Sequence, residues 1–212
     1  MKRIVVVANA PWRWFPAAVE LVAGADLVVA ADGGANHLAR IGIRPATLIG
    51  DLDSVRPGVR RWLGEDRVVL CPDQESTDLD KALTFVLDEL HGERVTVLAA
   101  TGGRLDHAVE NLALLTRFAA RAPVSLLAAD ARFEAVIGRL EARSFPGQTV
   151  SLLPLGECPR VTTAGLHWAL AGERLAPGLR SAVSNRATGD TVVIESSGGA
   201  LVVALAAPAA GW

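Results

Sequence analysis

Along the first 130 residues, apolar positions come in short unbroken runs: RIVVVA (3–8), DLVVAA (26–31), ATLIG (46–50), RVVLC (67–71), RVTVLAA (94–100) and VSLLAA (124–129). Runs of this length without polar alternation predict strands buried on both faces, as in a parallel sheet. Two longer stretches have another period. In STDLDKALTFVLDELHG (76–92), Leu79, Ala82, Leu83, Val86, Leu87 and Leu90 fall three and four apart, on one face of a helix. Ser76 or Thr77 supplies an N-cap there, and Gly92 a stop. LDHAVENLALLTRFAAR (105–121) repeats the pattern. Strand alternating with helix predicts an α/β layered unit.

The pattern changes between Asp130 and Phe133. VIGRLEA, QTVSLLPL, RVTTAGLHWAL, DTVVIES and ALVVAL follow, separated by Gly, Pro, Ser and Asn. Short strands with such punctuation predict a small antiparallel β domain, a sandwich or roll. The expected fold is therefore α/β over residues 1–130, a mostly parallel sheet flanked by helices. A smaller C-terminal antiparallel β-sandwich domain is expected over residues 131–212.

Composition narrows the class. Half of the 212 residues are hydrophobic, enough for a sizeable core. A net charge of −2 argues against nucleic acid as the main partner. No apolar run reaches the roughly 18–20 residues that cross a bilayer, so no membrane partner is expected. The start, MKRIVVVANAPWRWFP, is interrupted by Asn9, Pro11 and Arg13 and lacks the apolar core of a signal peptide. Cys71 and Cys158 have neither a CxxC neighbour nor a nearby His. They suit buried packing in a reducing, cytoplasmic compartment.

The candidate chemistry lies where the predicted strands end. In LIGDLDS (48–54), Asp51 and Asp53 are two residues apart and point the same way on an extended chain. Asp32 follows the second predicted strand. Asp73 follows the fourth, with Glu75 and Asp78 just beyond, and Asp106 follows the fifth. Open parallel sheets bind ligands outside the carboxyl ends of their strands. Any one of these acids alone reads as a loop or cap residue. Gathered in one crevice, they need a cation, a shared proton or distance. Hard oxygen ligands without His or Cys point to Mg2+ rather than Zn2+, and Mg2+ arrives with phosphates.

ADGGAN (31–36) and TGGR (101–104) are Gly-Gly turns between strand and helix that could approach a phosphate. Neither is a Walker A loop or a GxGxxG, and a tight structural turn accounts for each alone. Arg104 stands beside the second turn. Lys81 shares a helix face with Asp78, a spacing that fits a solvated ion pair or a phosphate contact equally.

The ordered blocks DGGAN (32–36), IGDLDS (49–54), DQESTDLDKAL (73–83), GGRLDHAVEN (102–111), GLHWAL (165–170) and SN (184–185) resemble the thiamine pyrophosphokinase family. The likeness spans nearly the whole chain, and IGDLDS with GGRxDHxxxN is its most specific part. It implies an α/β domain joined to a β domain in a homodimer with active sites at the subunit interface. It also implies Mg2+-dependent transfer of a pyrophosphoryl group from ATP to the hydroxyl of thiamine, releasing AMP. By the same resemblance, Asp51, Asp53 and Asp78 are expected to hold metal. Asp32 and Asp106 would act on metal-bound water or activate the hydroxyl. Gly33, Gly34, Asn36, Thr77, Lys81, Gly102, Gly103 and Arg104 would bind ATP phosphates, and Trp168, Ser184 and Asn185 would bind thiamine.

Read from the residues alone, Trp168 is a core residue of an alternating strand and Ser184–Asn185 a turn. His107, at a helix start, is expected to be structural. The chain departs from the family pattern at ANAPWRWFP, where many members have a glycine-rich turn. Pro11, Trp12 and Trp14 make a bulkier loop there, with exposed tryptophans that would touch ATP or pack on another subunit. Two other readings stay open: a pyrophosphokinase for another alcohol, such as a hydroxymethyl pterin, and a non-catalytic nucleotide-binding regulator. The C-terminal blocks favour thiamine, and the intact acidic set speaks against a pure binder.

Overall fold

The structure, a computed structural model, describes residues 2–208 and 211. The chain divides into two compact units, Met1–Asn111 with Arg121–Ala128, and Leu112–Ala120 with Ala129–Trp212.

The first unit runs β1 (Arg3–Val7), α1 (Pro16–Ala23), β2 (Leu27–Ala31), α2 (Gly34–Arg40), β3 (Thr47–Gly50), α3 (Pro57–Leu63), a 3-10 turn (Glu65–Arg67), β4 (Val68–Leu70), α4 (Asp78–Asp88), β5 (Arg94–Leu98), the first half of α5 (Leu105–Phe118), which from Leu112 on belongs to the second unit, and β6 (Val124–Leu127). Its strands pair in parallel in the order β6-β5-β1-β2-β3-β4. The unbroken apolar runs explain this: Ile4, Val5, Val6 and Val7 of β1 are all buried, so both faces of the strand are covered. Helix α4 follows its predicted stripe, burying Leu79, Ala82, Leu83, Val86 and Leu87 and packing on β2 and β3. Thr77 caps it, its hydroxyl accepting from the Asp80 N–H at 3.2 Å. Helix α5 stops at Phe118, short of the expected Arg121. Pro123 restrains the preceding residue to extended backbone, which leaves Ala119–Arg121 as a turn. Helices α1, α2 and α3 span only eight, seven and seven residues, too short for a helical period to stand out.

The second unit contains β7 (Ala131–Ala135), β8 (Arg139–Arg143), β9 (Thr149–Pro154), β10 (Cys158–Ala164), β11 (Ala171–Leu175), β12 (Asn185–Arg186), β13 (Thr191–Ser196) and β14 (Leu201–Ala206). All pairings are antiparallel, in the orders β12-β9-β14-β7 and β11-β10-β13-β8. Val150, Leu152, Val203 and Leu205 of one sheet share a buried core with Val161, Leu175, Val192 and Ile194 of the other, the interior of a β-sandwich. The α/β-plus-sandwich fold class is thus the observed one. Cys158 is buried in this core as expected, whereas Cys71, just past edge strand β4, is only half-buried.

Residues 160–170 do not form one strand. Strand β10 ends at Ala164, and Gly165 turns the chain with a φ of +76°. A Cβ at Gly165 would lie 2.3 Å from the Thr191 carbonyl oxygen. GLHW therefore leaves the sheet, and Trp168 is 57% exposed rather than a core residue. Among the described residues, no helix is long and apolar enough to cross a membrane.

Candidate active site

From β1 the chain steps to β2, β3 and β4 on one side and returns to β5 on the other. Loops at such a switch point diverge and leave a crevice at the strand ends. A cleft of about 590 Å³ lies there. Its walls are Ala8, Ala31, Ala99 and Ala100 at the strand ends, with Asp51, Asp53, Asp78, Lys81, Arg104 and His107 around them.

Three acids gather at these strand ends, two of them, Asp51 and Asp78, in the cleft wall. One carboxylate oxygen each from Asp32, Asp51 and Asp78 lies within 4.8 Å of the others. Asp32 directly follows β2 in left-handed backbone, φ +40°, while its N–H still donates to the Ile49 carbonyl at 2.8 Å. Asp51 follows β3, and Asp78 is the first residue of α4 behind the Thr77 cap. Gly50 makes the approach possible, because a Cβ there would sit 2.9 Å from both Asp32 Cβ and Asp78 Oδ1. Leu52 and Ala99 also hold positive φ, +68° and +55°. Left-handed non-glycine backbone at three strand ends is conformational strain gathered at one site.

The charges explain the titration. Burial, then the neighbouring charge of Asp78, pushes the Asp32 carboxyl above the usual range. Burial, then Asp51, does the same for Asp78 against the pull of Lys81. Asp51 is held low by the Gln74 amide, which donates at 3.1 Å, and by the Asp53 N–H at 3.2 Å. Asp32 Oδ1 and Asp78 Oδ1 are buried without a hydrogen bond. Lys81 Nζ stands 3.6 Å from Asp78 Oδ1, and its side chain is 7% exposed. Two buried oxygens without hydrogen bonds, in an all-carboxylate donor set, fit a hard divalent cation.

The remaining predicted residues are placed differently. Asp53 stays outside the triad, on the cleft rim, accepting from the Ser54 hydroxyl at 2.8 Å. Asp106 is exposed and paired with Arg104 (Nη2–Oδ2 2.5 Å), which holds its carboxyl at about 2. Gly33 and Gly34 serve close packing on the β1 end: a Cβ on Gly34 would meet the Val7 oxygen at 1.9 Å, and one on Gly33 the Asn9 amide at 2.3 Å. Gly103 lies under Pro11, whose Cδ would be 2.7 Å from a Cβ there, and Gly102 turns the chain at φ +88°. Asn36 bonds to the loop after β3, donating to Ser54 O and accepting from Arg56 N.

In the second unit, the buried Asn185 amide holds both backbone groups of Trp168. Its Oδ1 accepts from the Trp168 N–H at 3.1 Å and its Nδ2 donates to the Trp168 carbonyl at 2.8 Å. Ser184 precedes it at φ +59°. The exposed Trp168 ring meets the edge of His167, centroids 4.6 Å apart.

Trp12 and Trp14 are half-buried and meet edge to face, with Phe15 against Trp12, instead of standing exposed. Trp14 Nε1 donates to the His37 carbonyl at 3.2 Å, anchoring the loop within its own unit. Sequence reasoning missed Gln74, Asn111 and Asn9. Gln74 bonds Asp51 from 23 residues away, and Asn111 donates to the Ala100 carbonyl at 2.8 Å beneath the cleft. Gln74 and Asn111 lie inside the family blocks DQESTDLDKAL and GGRxDHxxxN, which marked their positions, but the partners their side chains find are set by the fold.

A parallel sheet whose strand ends carry clustered carboxylates and a buried lysine belongs with the α/β enzymes that handle phosphate groups. Two family models match the chain: the thiamin pyrophosphokinase catalytic domain over residues 18–126 and the thiamin pyrophosphokinase vitamin B1 binding domain over 139–201. Thiamine pyrophosphokinase 1 of Oryza sativa subsp. japonica is 31% identical over 202 residues, covering 81% of this chain and 76% of that protein. Thiamine pyrophosphokinase 1 of Arabidopsis thaliana is 29% identical over 201 residues, covering 81% and 75%. The crystal structure of thiamine pyrophosphokinase from Bacillus subtilis shares the fold with a TM-score of 0.82, at 24% identity over 97% of this chain and 99% of that one. The chain belongs to the thiamin pyrophosphokinase family, and it is an enzyme that transfers a pyrophosphoryl group to thiamine. The pterin-directed and non-catalytic readings find no support in these matches.

Proposed function

We propose that the cleft of the first unit takes ATP with Mg2+ and passes a pyrophosphoryl group to the thiamine hydroxyl, releasing AMP. We further propose a cytoplasmic homodimer with active sites at the subunit interface, which rests on the family resemblance. The observation that carries the cleft reading is the triad of carboxylates with two buried oxygens that lack hydrogen bonds. Asp32, Asp51 and Asp78 would hold the ion, with Asp53 beside them on the rim. Bound there, Mg2+ neutralises phosphate charge and polarises the phosphorus under attack.

The chain's own residues supply position and charge. The Lys81 ammonium, held in place by burial of its stem, stands 3.6 Å from Asp78 and would meet the phosphate oxygens of a bound ATP. Arg104 and the Gly103 turn bound the cleft opposite, and Thr77 fixes the start of the helix that carries Asp78 and Lys81. In the transfer, the thiamine oxygen bonds to the β-phosphorus. The bond from that phosphorus to the α–β bridging oxygen breaks, and AMP leaves with its electron pair. The hydroxyl proton passes to a carboxylate. Asp106, held at about 2, is a poor acceptor. In the second unit the exposed Trp168 ring offers a face to the flat thiamine cation, with Ser184 and Asn185 beside it.

The test incubates the protein with ATP, Mg2+ and either thiamine or a hydroxymethyl pterin. AMP and thiamine diphosphate are expected with thiamine alone, and removal of Mg2+ should abolish both. No AMP with thiamine, or equal turnover of the pterin, overturns the reading.

A further inference from the structure

We propose that Asn36 is a positioning residue for the carboxylate triad and not a contact to phosphate. The inference rests on the reading of that triad as a cation site. Asn36 is half-buried in α2, and its amide grips one loop at two points. Nδ2 donates to the Ser54 carbonyl at 3.0 Å, and Oδ1 accepts from the Arg56 N–H at 3.0 Å. Between these two points Val55 is buried, so the loop is pinned on both sides of a packed side chain. The pinned loop presents the Ser54 N–H, which donates to Asp32 Oδ2 at 3.1 Å.

That bond sets the Asp32 carboxylate. With Oδ2 tied to the loop, the group cannot turn freely, and Oδ1 is left buried and without a hydrogen bond as its one oxygen for an ion. Asp32 already sits in left-handed backbone at 1% exposure, so small loop movements reach it directly. The job requires a donor and an acceptor in one short planar group without charge. An aspartate would lose the donor and add a fourth negative charge, and an alanine would lose both bonds. Asn36 also stands outside the residues that line the cleft, and its acceptor is already used by the loop. Side chains that orient metal ligands through hydrogen bonds typically change metal affinity about 10- to 100-fold when removed.

The experiment titrates Mn2+ into the nucleotide-free protein, followed by the electron paramagnetic resonance signal of free Mn2+, for the parent and for Asn36→Ala. The variant should bind Mn2+ about 10- to 100-fold more weakly. In turnover its half-saturating Mg2+ should rise by the same factor, kcat should recover at saturating Mg2+, and KM for thiamine should stay unchanged. A folding defect is read separately, from the melting temperature without metal, because a bound cation would itself favour the folded state. If Asn36→Ala does not fold, Asn36→Ser, which stays neutral but is too short to hold both the Ser54 carbonyl and the Arg56 N–H, carries the same test. A parent protein that binds no Mn2+ overturns the cation site itself. A parent that binds, with variants matching it within about twofold, overturns the positioning role. So does a raised KM for ATP that persists at saturating Mg2+, which would make Asn36 a phosphate contact.

Discussion

Burial takes the Asp32 carboxylate out of water and sets it near the charge of Asp78, so its folded pKa lies above the unfolded value of 3.8. The folded chain then holds its proton more tightly than the unfolded chain. Stability from this group is full below 3.8 and is lost as pH rises through the folded pKa. Asp78 behaves alike. Asp51, held low by Gln74, has the opposite sign: its contribution is present above 3.8 and is lost as pH falls. Near neutral pH the charged Asp32 and Asp78 therefore oppose folding in the metal-free protein, and a cation would relieve them. Asp32→Asn should raise the melting temperature of the metal-free protein by about 2–4 °C for each kcal/mol of relieved repulsion. The gap should widen from about pH 4 to 7, and Mg2+ should stabilise this variant less than the parent. Thermal scans across that range with and without Mg2+ decide it, and a lower melting temperature at every pH would contradict it.

Strands and helices decide which of these residues can meet. Each parallel strand of the first unit delivers its following loop to the same edge, so acids 19 positions apart, Asp32 and Asp51, become neighbours. In the second unit the equivalent device is the short strand β12, whose Asn185 is buried and tied to the GLHW loop. Asn185→Ala removes those bonds and frees Trp168, at a cost of about 1–3 kcal/mol for buried groups left unpaired. KM for thiamine should rise about tenfold, equivalent to about 1.4 kcal/mol of binding, while ATP affinity stays unchanged. Steady-state kinetics with Trp fluorescence titration reads both, and an unchanged KM would leave Asn185 as a fold residue only. At this scale much was legible in advance. The apolar runs marked the six parallel strands, and the 3.6 period marked α4. Helices α1, α2 and α3 were not marked, because seven or eight residues hold too few turns for a stripe.

For the whole molecule, the proposed homodimer has a direct test. Asp51→Asn and Asn185→Ala proteins are mixed and allowed to exchange subunits, then assayed at low thiamine. If each site draws on two chains, roughly a quarter of the sites are intact after free exchange, and activity should recover to about that level. Demonstrated exchange without recovery would place each site within one chain. The class of fold and the presence of an acidic crevice were readable from the amino-acid order, because hydrophobic periodicity and strand-end position are local properties. The family blocks added the chemistry. The grouping of the acids was not local. It takes the Gly50 approach and the turn at Asp32 to bring Asp32, Asp51 and Asp78 together, while Asp53, only two residues from Asp51, faces the rim. The same holds for Trp168, which alternation assigned to a core and Gly165 turned outward. Local pattern determines which elements form, but which side chains share an oxygen-to-oxygen distance depends on chain crossings and backbone turns that only the folded structure contains.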